Sequence, residues 1–102
     1  MRNPEIKYAI KRTEHEQWTV YLLRHDARST EILTPLLRDY VDGSINLDTI
    51  PYLRTSSKSR NDVLVTSVRV PEQLHAAVMR KTAQDEIKAG QLIRSLVLLL
   101  TA

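Results

Sequence analysis

Two stretches of the chain alternate between apolar and polar residues as a half-buried strand does, and they restrict the fold more than any other feature. They are "EIKYAIK" (5–11) and "VLVTSVRV" (63–70). A lone strand leaves both edges unpaired and one face uncovered, so we expect the two to pair antiparallel as a ribbon. The ribbon's inner face would carry Ile6, Tyr8, Ile10, Leu64, Thr66, Val68 and Val70, and its outer face Lys7, Ala9, Lys11, Val65, Ser67 and Arg69.

The first helix after each strand begins almost at once. Thr13 and Glu16 have the spacing of a capping box, which predicts a helix over about 14–25. After the second strand, Pro71 suits the first helical position, where its missing N–H loses no hydrogen bond. This predicts a helix over about 71–86, so the strand passes into the helix without a turn.

A second amphipathic helix follows each of the first ones. Ser29 or Thr30 is the predicted cap of a helix that starts near residue 31 and is ended by Gly43. The last helix is predicted over about 89–101, and it is apolar almost all round, which is typical of a helix at the centre of a core or in an interface.

The order of these elements predicts an internal repeat within a single compact domain, 1–102. The first strand-helix-helix unit covers 5–43, a linker covers 44–61, and the second unit covers 62–102. A shift of sixty residues aligns the strands and second helices, whereas the first helices align better near fifty-seven. The predicted fold is mainly α with a two-stranded antiparallel ribbon above four interlocked helices.

Composition narrows the function. The chain has 102 residues, a net charge of +3 and no cysteine, so it has neither disulfides nor a thiolate metal site. The three histidines lack metal-ligand spacing, and no acid–base cluster or phosphate-binding loop is present, so we expect no enzyme activity and no cofactor. The most apolar stretch, 92–100, is nine residues long, contains Arg94 and is too short to cross a bilayer. The chain begins without a signal-peptide pattern, and a cytoplasmic protein is expected.

A two-stranded ribbon fits the major groove of DNA, where Lys and Arg can bind guanine and Ser can contact several base edges. The second helix of each unit would point its N-terminus outward, where free N–H groups favour phosphate. The residues at these two ends are Arg28, Ser29, Thr30, Lys88, Ala89 and Gly90. The simpler interpretations remain open: lysines on an exposed strand aid solubility, and Arg28 and Lys88 are ordinary loop charges.

The segment "VRVPEQLHAAVMRKTAQDEIKAGQLIRSLVLLL" (68–100) resembles the ribbon-helix-helix (MetJ/Arc) superfamily of DNA-binding proteins in its strand-Pro-Glu opening, its first-turn leucine and its "QLIR" helix start. The resemblance implies base reading by Ser67, Arg69 and Val65, and phosphate contact by the backbone of 88–91. Gly90 departs from the family's usual Ser or Thr, and the motif lies at the C-terminus. With the first copy, the chain is similar to tandem, single-chain pseudodimers that assist plasmid conjugation.

Two functions follow. The first is sequence-selective binding of double-stranded DNA at an asymmetric site, as a repressor or a DNA-transfer accessory factor. In the alternative, only 63–102 forms a DNA-binding unit, as part of a homo-oligomer. Residues 1–43 would then bind a protein partner such as a toxin, a relaxosome component or a partition ATPase.

Overall fold

The computed structural model describes residues 3–45, 48, 50 and 63–101. Within these residues the chain is mainly helical, with one two-stranded antiparallel sheet. Its elements in chain order are β1 (Glu5–Lys11), α1 (Arg12–Arg24), α2 (Ser29–Asp42), β2 (Val63–Arg69), α3 (Glu72–Gln84) and α4 (Ala89–Thr101). Most of the predicted linker lies outside the described residues, although Ile50 is buried in the core.

The ribbon has the predicted pairing and the predicted faces. Lys7 lies opposite Ser67, with Ala9 opposite Val65 on one side and Glu5 opposite Arg69 on the other. Side chains alternate across a strand, so these residues share one face. The other face turns Ile6, Tyr8, Ile10 and Val68 into the core.

Both helix caps predicted in the first half are wrong. Helix α1 begins at Arg12, directly after the strand, and the N–H of Lys11 donates to Oε1 of Glu14 at 3.0 Å. Lys11 and Glu14 have the same i, i+3 spacing as Thr13 and Glu16, and the earlier pair is selected because no turn intervenes. Helix α2 likewise begins at Ser29, with Arg28 as the residue before it.

The end of α2 is as predicted. Gly43 adopts a left-handed conformation, with φ of 89°, that a side chain disfavours. The N–H of the following Ser44 then donates to the Asp39 carbonyl at 2.8 Å, which satisfies one of the free carbonyls at the helix end.

The helices of the two halves repeat one backbone pattern at a fixed interval. Helices α1 and α3 begin sixty residues apart and have 13 residues each, and α2 and α4 also begin sixty apart. The helix-joining turns repeat as well: Asp26 and Glu86 both have positive φ. The predicted shift near fifty-seven for the first helices is therefore wrong, because it followed apolar positions whose side chains differ between the halves.

The core lies between the ribbon and the four helices and draws on both halves. Buried side chains occur at equivalent positions, as with Trp18 and Val78, or Leu33 and Ile93. Helix α4 is the most deeply placed element, since residues 92–97 are all buried. A central position in the core thus explains the apolar residues of 92–97, whereas Leu99 near the end of the helix is 43% exposed.

One ion pair crosses from the first half to the last helix. The Arg94 Nε and Nη2 donate to the two carboxylate oxygens of Glu14 at 3.2 and 3.0 Å. Both side chains are largely buried, with exposed fractions of 9% and 16%. The same Glu14 accepts the N–H of Lys11, so one carboxylate joins the ribbon, α1 and α4.

Candidate nucleic-acid interface

Most of the outer face of the ribbon is open to solvent. Lys7, Ala9, Val65 and Arg69 are exposed, whereas Ser67 is half-buried. Lys11, at the end of β1, is also half-buried. No described helix covers this face, and each predicted base-reading residue lies on it.

Arg69 is held in place by neighbours at one end of the ribbon. Its Nη2 forms an ion pair with Glu5 on the opposite strand, and its Nη1 donates to the Asn3 carbonyl at 2.9 Å. The guanidinium has five N–H donors, so these two contacts leave others free to face outward. Glu5 also offsets the charge of Arg69, which lowers the positive potential at this end.

Lys7 and Lys11 supply the remaining positive charge of the outer face. Within the described residues neither ammonium has a carboxylate within salt-bridge distance. A lysine that has no ion-pair partner can adjust its flexible side chain to contact a phosphate or a base edge. Apart from the paired Glu5, the described outer face carries no acidic residue.

Val65 is the unusual member of this face. Its side chain is 67% exposed, among the highest values for large apolar residues in the described chain, and it lies opposite Ala9. The two form a small apolar surface beside the Lys7–Ser67 pair. Such a surface cannot donate or accept a hydrogen bond, so it could recognise a ligand only by contacting the ligand's apolar groups.

The N-termini of α2 and α4 differ in charge. The N–H of Arg28 donates to the carboxylate of Glu31 at 3.1 Å, whereas the N–H of Lys88 donates to the neutral amide of Gln91 at 3.2 Å. An acidic side chain in the first turn already satisfies the helix dipole and repels a phosphate. The end of α4 is therefore better suited to an anion than the end of α2.

These two helix ends also approach the ribbon differently. The Thr30 hydroxyl donates a hydrogen bond to the Arg69 carbonyl of β2 at 3.0 Å. It therefore links α2 to the ribbon and does not cap its own helix. A Cβ added to Gly90 would lie 2.8 Å from the Lys7 carbonyl oxygen. Glycine is needed there because α4 packs directly on the backbone of β1. Ala89 is buried, so its side chain is not available to a ligand.

Sequence reasoning missed the contacts of Glu5, Glu31 and Gln91 that modify the charge and hydrogen bonding of this surface. Glu5 was placed in the strand, but its contact with Arg69 depends on register, which alternation alone does not determine. Glu31 and Gln91 each stand three residues after the residue that precedes their helix, and this spacing was a signal available in the sequence.

Other kinds of site are not apparent in the described part of the chain. It contains no group of three or more His, Asp or Glu side chains arranged to hold a metal ion. None of its helices combines the length and the apolar character needed to cross a membrane. An open groove between α1 and the end of α4 is lined by mixed polar and apolar side chains, among them Glu16, Tyr21 and Leu100.

Comparison of the chain with protein-family models, curated proteins and solved structures gave no match.

Proposed function

We infer that this protein binds double-stranded DNA selectively, as a single-chain pseudodimer of the ribbon-helix-helix kind, and that the outer face of its ribbon enters the major groove. The observation that carries the proposal is the uncovered outer face, with Lys7 and Lys11 free of ion-pair partners among the described residues. A repressor or a DNA-transfer accessory factor needs only such occupancy and no chemistry of its own.

The dimensions of the ribbon support this mode of binding. Two strands about 4.8 Å apart, with their side chains, fit a groove about 12 Å wide. Seven residues per strand give a length of roughly 23 Å, which spans several base pairs. The side chains on that face are cations, a hydroxyl and an apolar pair. The cations and the hydroxyl can donate hydrogen bonds to acceptors on base edges, and the apolar pair can contact the methyl group of thymine.

Phosphate binding is expected mainly at α4. The backbone N–H groups of Ala89 and Gly90 belong to a first turn that has no acidic residue, and Lys88 precedes them. Arg28, Ser29 and Thr30 form the matching end of α2, where the Glu31 carboxylate opposes an anion. Contacts at the two ends would therefore be unequal.

The pairing of β1 with β2 supports the single-chain form over the alternative, in which only residues 63–102 form a dimeric DNA-binding unit and 1–43 bind a protein partner. Every residue of β2 is paired with β1, and α4 packs on β1 through Gly90. In a dimer of 63–102 alone, the second copy would have to replace both of these contacts. The first half is thus used in folding the ribbon.

The test is fluorescence anisotropy with labelled duplex DNA at two salt concentrations. We expect affinity to fall as salt rises, because bound cations displace counterions from the phosphates. Replacing Lys7→Gln and Lys11→Gln together should weaken binding by about tenfold or more and reduce the salt dependence.

The matched control removes the same charge elsewhere. Arg24→Gln with Arg38→Gln changes two exposed arginines on helices α1 and α2 and leaves the ribbon intact. This variant should bind within about threefold of wild type. The two arginines that it lacks would act on DNA only at long range, where salt screens their charges. If the two double variants, both folded by circular dichroism, bind equally well, the ribbon is not the DNA-binding surface.

A further inference from the structure

The outer face of the ribbon is chemically different on the two sides of its centre. At the sixty-residue interval of the helices, Lys7 corresponds to Ser67, and these two residues are also paired across the strands. The pair therefore marks the centre of the repeat. The Ala9–Val65 pair on one side corresponds to the Arg69–Glu5 pair on the other.

The two flanking pairs offer opposite kinds of contact. Glu5 and Arg69 form an ion pair and present only charged, hydrogen-bonding groups. Ala9 and Val65 present only methyl groups, and Val65 is 67% exposed. In the major groove, thymine is the common base that displays a methyl group, at C5.

The cost of leaving Val65 in water also favours an apolar ligand. An exposed valine gains nothing from solvent, whereas burial of one methyl-sized group contributes about 0.8 kcal/mol, or roughly fourfold in affinity. Ala9 opposite it is small, so the surface around Val65 leaves room for a methyl group to approach.

We propose that the Ala9–Val65 pair reads the C5-methyl group of a pyrimidine, thymine in unmodified DNA, on one side of the binding site only. The proposal rests on the DNA-binding function above. The opposite side of the site, facing Glu5 and Arg69, is read through hydrogen bonds. The two sides of the preferred DNA site are accordingly recognised differently, one by apolar contact and the other by hydrogen bonds.

The experiment uses the full chain and a duplex that the wild-type protein selects from a random library. Each thymine is replaced in turn by uracil, which removes the methyl group and leaves the base pair's hydrogen bonds unchanged. We expect a loss of about fourfold at one or two neighbouring positions on one side of the site, measured by anisotropy. With Val65→Ala the same replacements should have less than half that effect on the free energy of binding.

Leu23→Ala is the matched control, because Leu23 is 75% exposed on α1, away from the ribbon. It should keep the full uracil penalty. A duplex with 5-methylcytosine at the sensitive position tests the methyl group itself: we expect tighter binding than to the same duplex with cytosine, and equal binding would contradict recognition of the methyl group.

The outcomes separate the two proposals. If the wild-type protein shows no salt-dependent binding to any duplex, the proposed function fails and this inference fails with it. If binding is selective but no uracil replacement weakens it, or if Val65→Ala leaves the penalty unchanged in a variant with a normal unfolding temperature, DNA binding stands and methyl reading is wrong.

Discussion

The two halves of the protein have nearly the same backbone and very different side-chain chemistry. The turns after α1 and α3 use the same hydrogen bonds, from Ala27 to Leu22 and from Ile87 to Thr82, each at 3.0 Å. In contrast, the polar groups that join one half to the other differ at almost every equivalent position. The same backbone can therefore form with different side chains. The side-chain contacts of one half cannot be inferred from those of the other.

The clearest difference concerns the place where a first helix meets a second helix of the other half. Glu14 and Arg94 form a buried, two-pronged ion pair on one side. Sixty residues away in sequence, their counterparts are Leu74 and Thr34, which cannot form such a pair. Removing one partner of a buried pair is far more harmful than replacing both, which gives a way to test the comparison.

The largest effect is expected from Arg94→Met, which leaves the Glu14 carboxylate buried without its cation. The free energy of unfolding should fall by about 3–5 kcal/mol. Urea unfolding followed by the fluorescence of the single tryptophan, Trp18, measures this change. Adding Glu14→Leu to Arg94→Met should restore more than half of the loss, and a double variant as unstable as the single one would contradict this account.

The matched position in the other half should respond with the opposite sign. The Thr34 hydroxyl is buried and has no hydrogen-bond partner among the described residues. Thr34→Val keeps the shape and removes the hydroxyl, so it should stabilise the protein by about 1 kcal/mol. A loss of stability would mean that the hydroxyl is satisfied in solution.

The second effect compares the two helix ends that meet the ribbon. Gly90→Ala places a Cβ 2.8 Å from a backbone oxygen of β1, and a paired strand cannot easily shift to relieve this clash. We expect a net loss of about 1–2 kcal/mol after allowing for the better helix propensity of alanine. Thr30→Ala, at the equivalent position, loses one exposed hydrogen bond and should cost about 0.5–1 kcal/mol. Thermal unfolding of both variants ranks them, and the reverse order would contradict the close approach at Gly90.

A further difference between the halves concerns Tyr40, whose counterpart is Leu100. The Tyr40 hydroxyl donates to Oδ2 of Asp85 at 2.6 Å, and Tyr40→Phe should lower stability by about 1 kcal/mol at pH 7. Burial, followed by the hydrogen bond and charge of Asp85, raises the pKa of Tyr40 well above its ordinary value.

The raised pKa also predicts how the protein responds to alkali. In the unfolded chain the tyrosine loses its proton near pH 10, whereas the folded protein keeps it. The contribution of Tyr40 is therefore complete below pH 10 and is lost as pH rises above it. Urea unfolding at pH 9 and pH 11 should show a smaller decline for Tyr40→Phe than for wild type. Equal declines would mean that the hydroxyl ionises freely in the fold.

Much of the architecture could be predicted because strand alternation and helical periodicity are local signals. They gave the order of the elements and the residues of the outer face. Register was not predictable in this way, because alternation decides which face a residue occupies and not which residue lies opposite it. The contact of Glu5 with Arg69 and the reason for Gly90 both depend on register.

The burial of Arg94 shows a second limit. In the sequence it interrupts an apolar run, and its partner lies eighty residues earlier, on the first turn of α1. No local pattern links the two. The pairing becomes evident only when α1 and α4 are placed side by side, which requires the tertiary fold.

The antiparallel pairing of Glu5–Lys11 with Val63–Arg69 has a consequence for how the protein behaves on dilution. Both strands belong to one chain, so closing the ribbon is a unimolecular step. A ribbon built from two separate chains comes apart as its concentration falls, and its melting temperature depends on that concentration. Here the melting temperature set by ribbon closure should be the same at nanomolar and micromolar protein. On the proposed function, a few copies in a cell would hold an intact DNA-binding surface, and the fraction of sites occupied would rise in simple proportion to their number at low concentration.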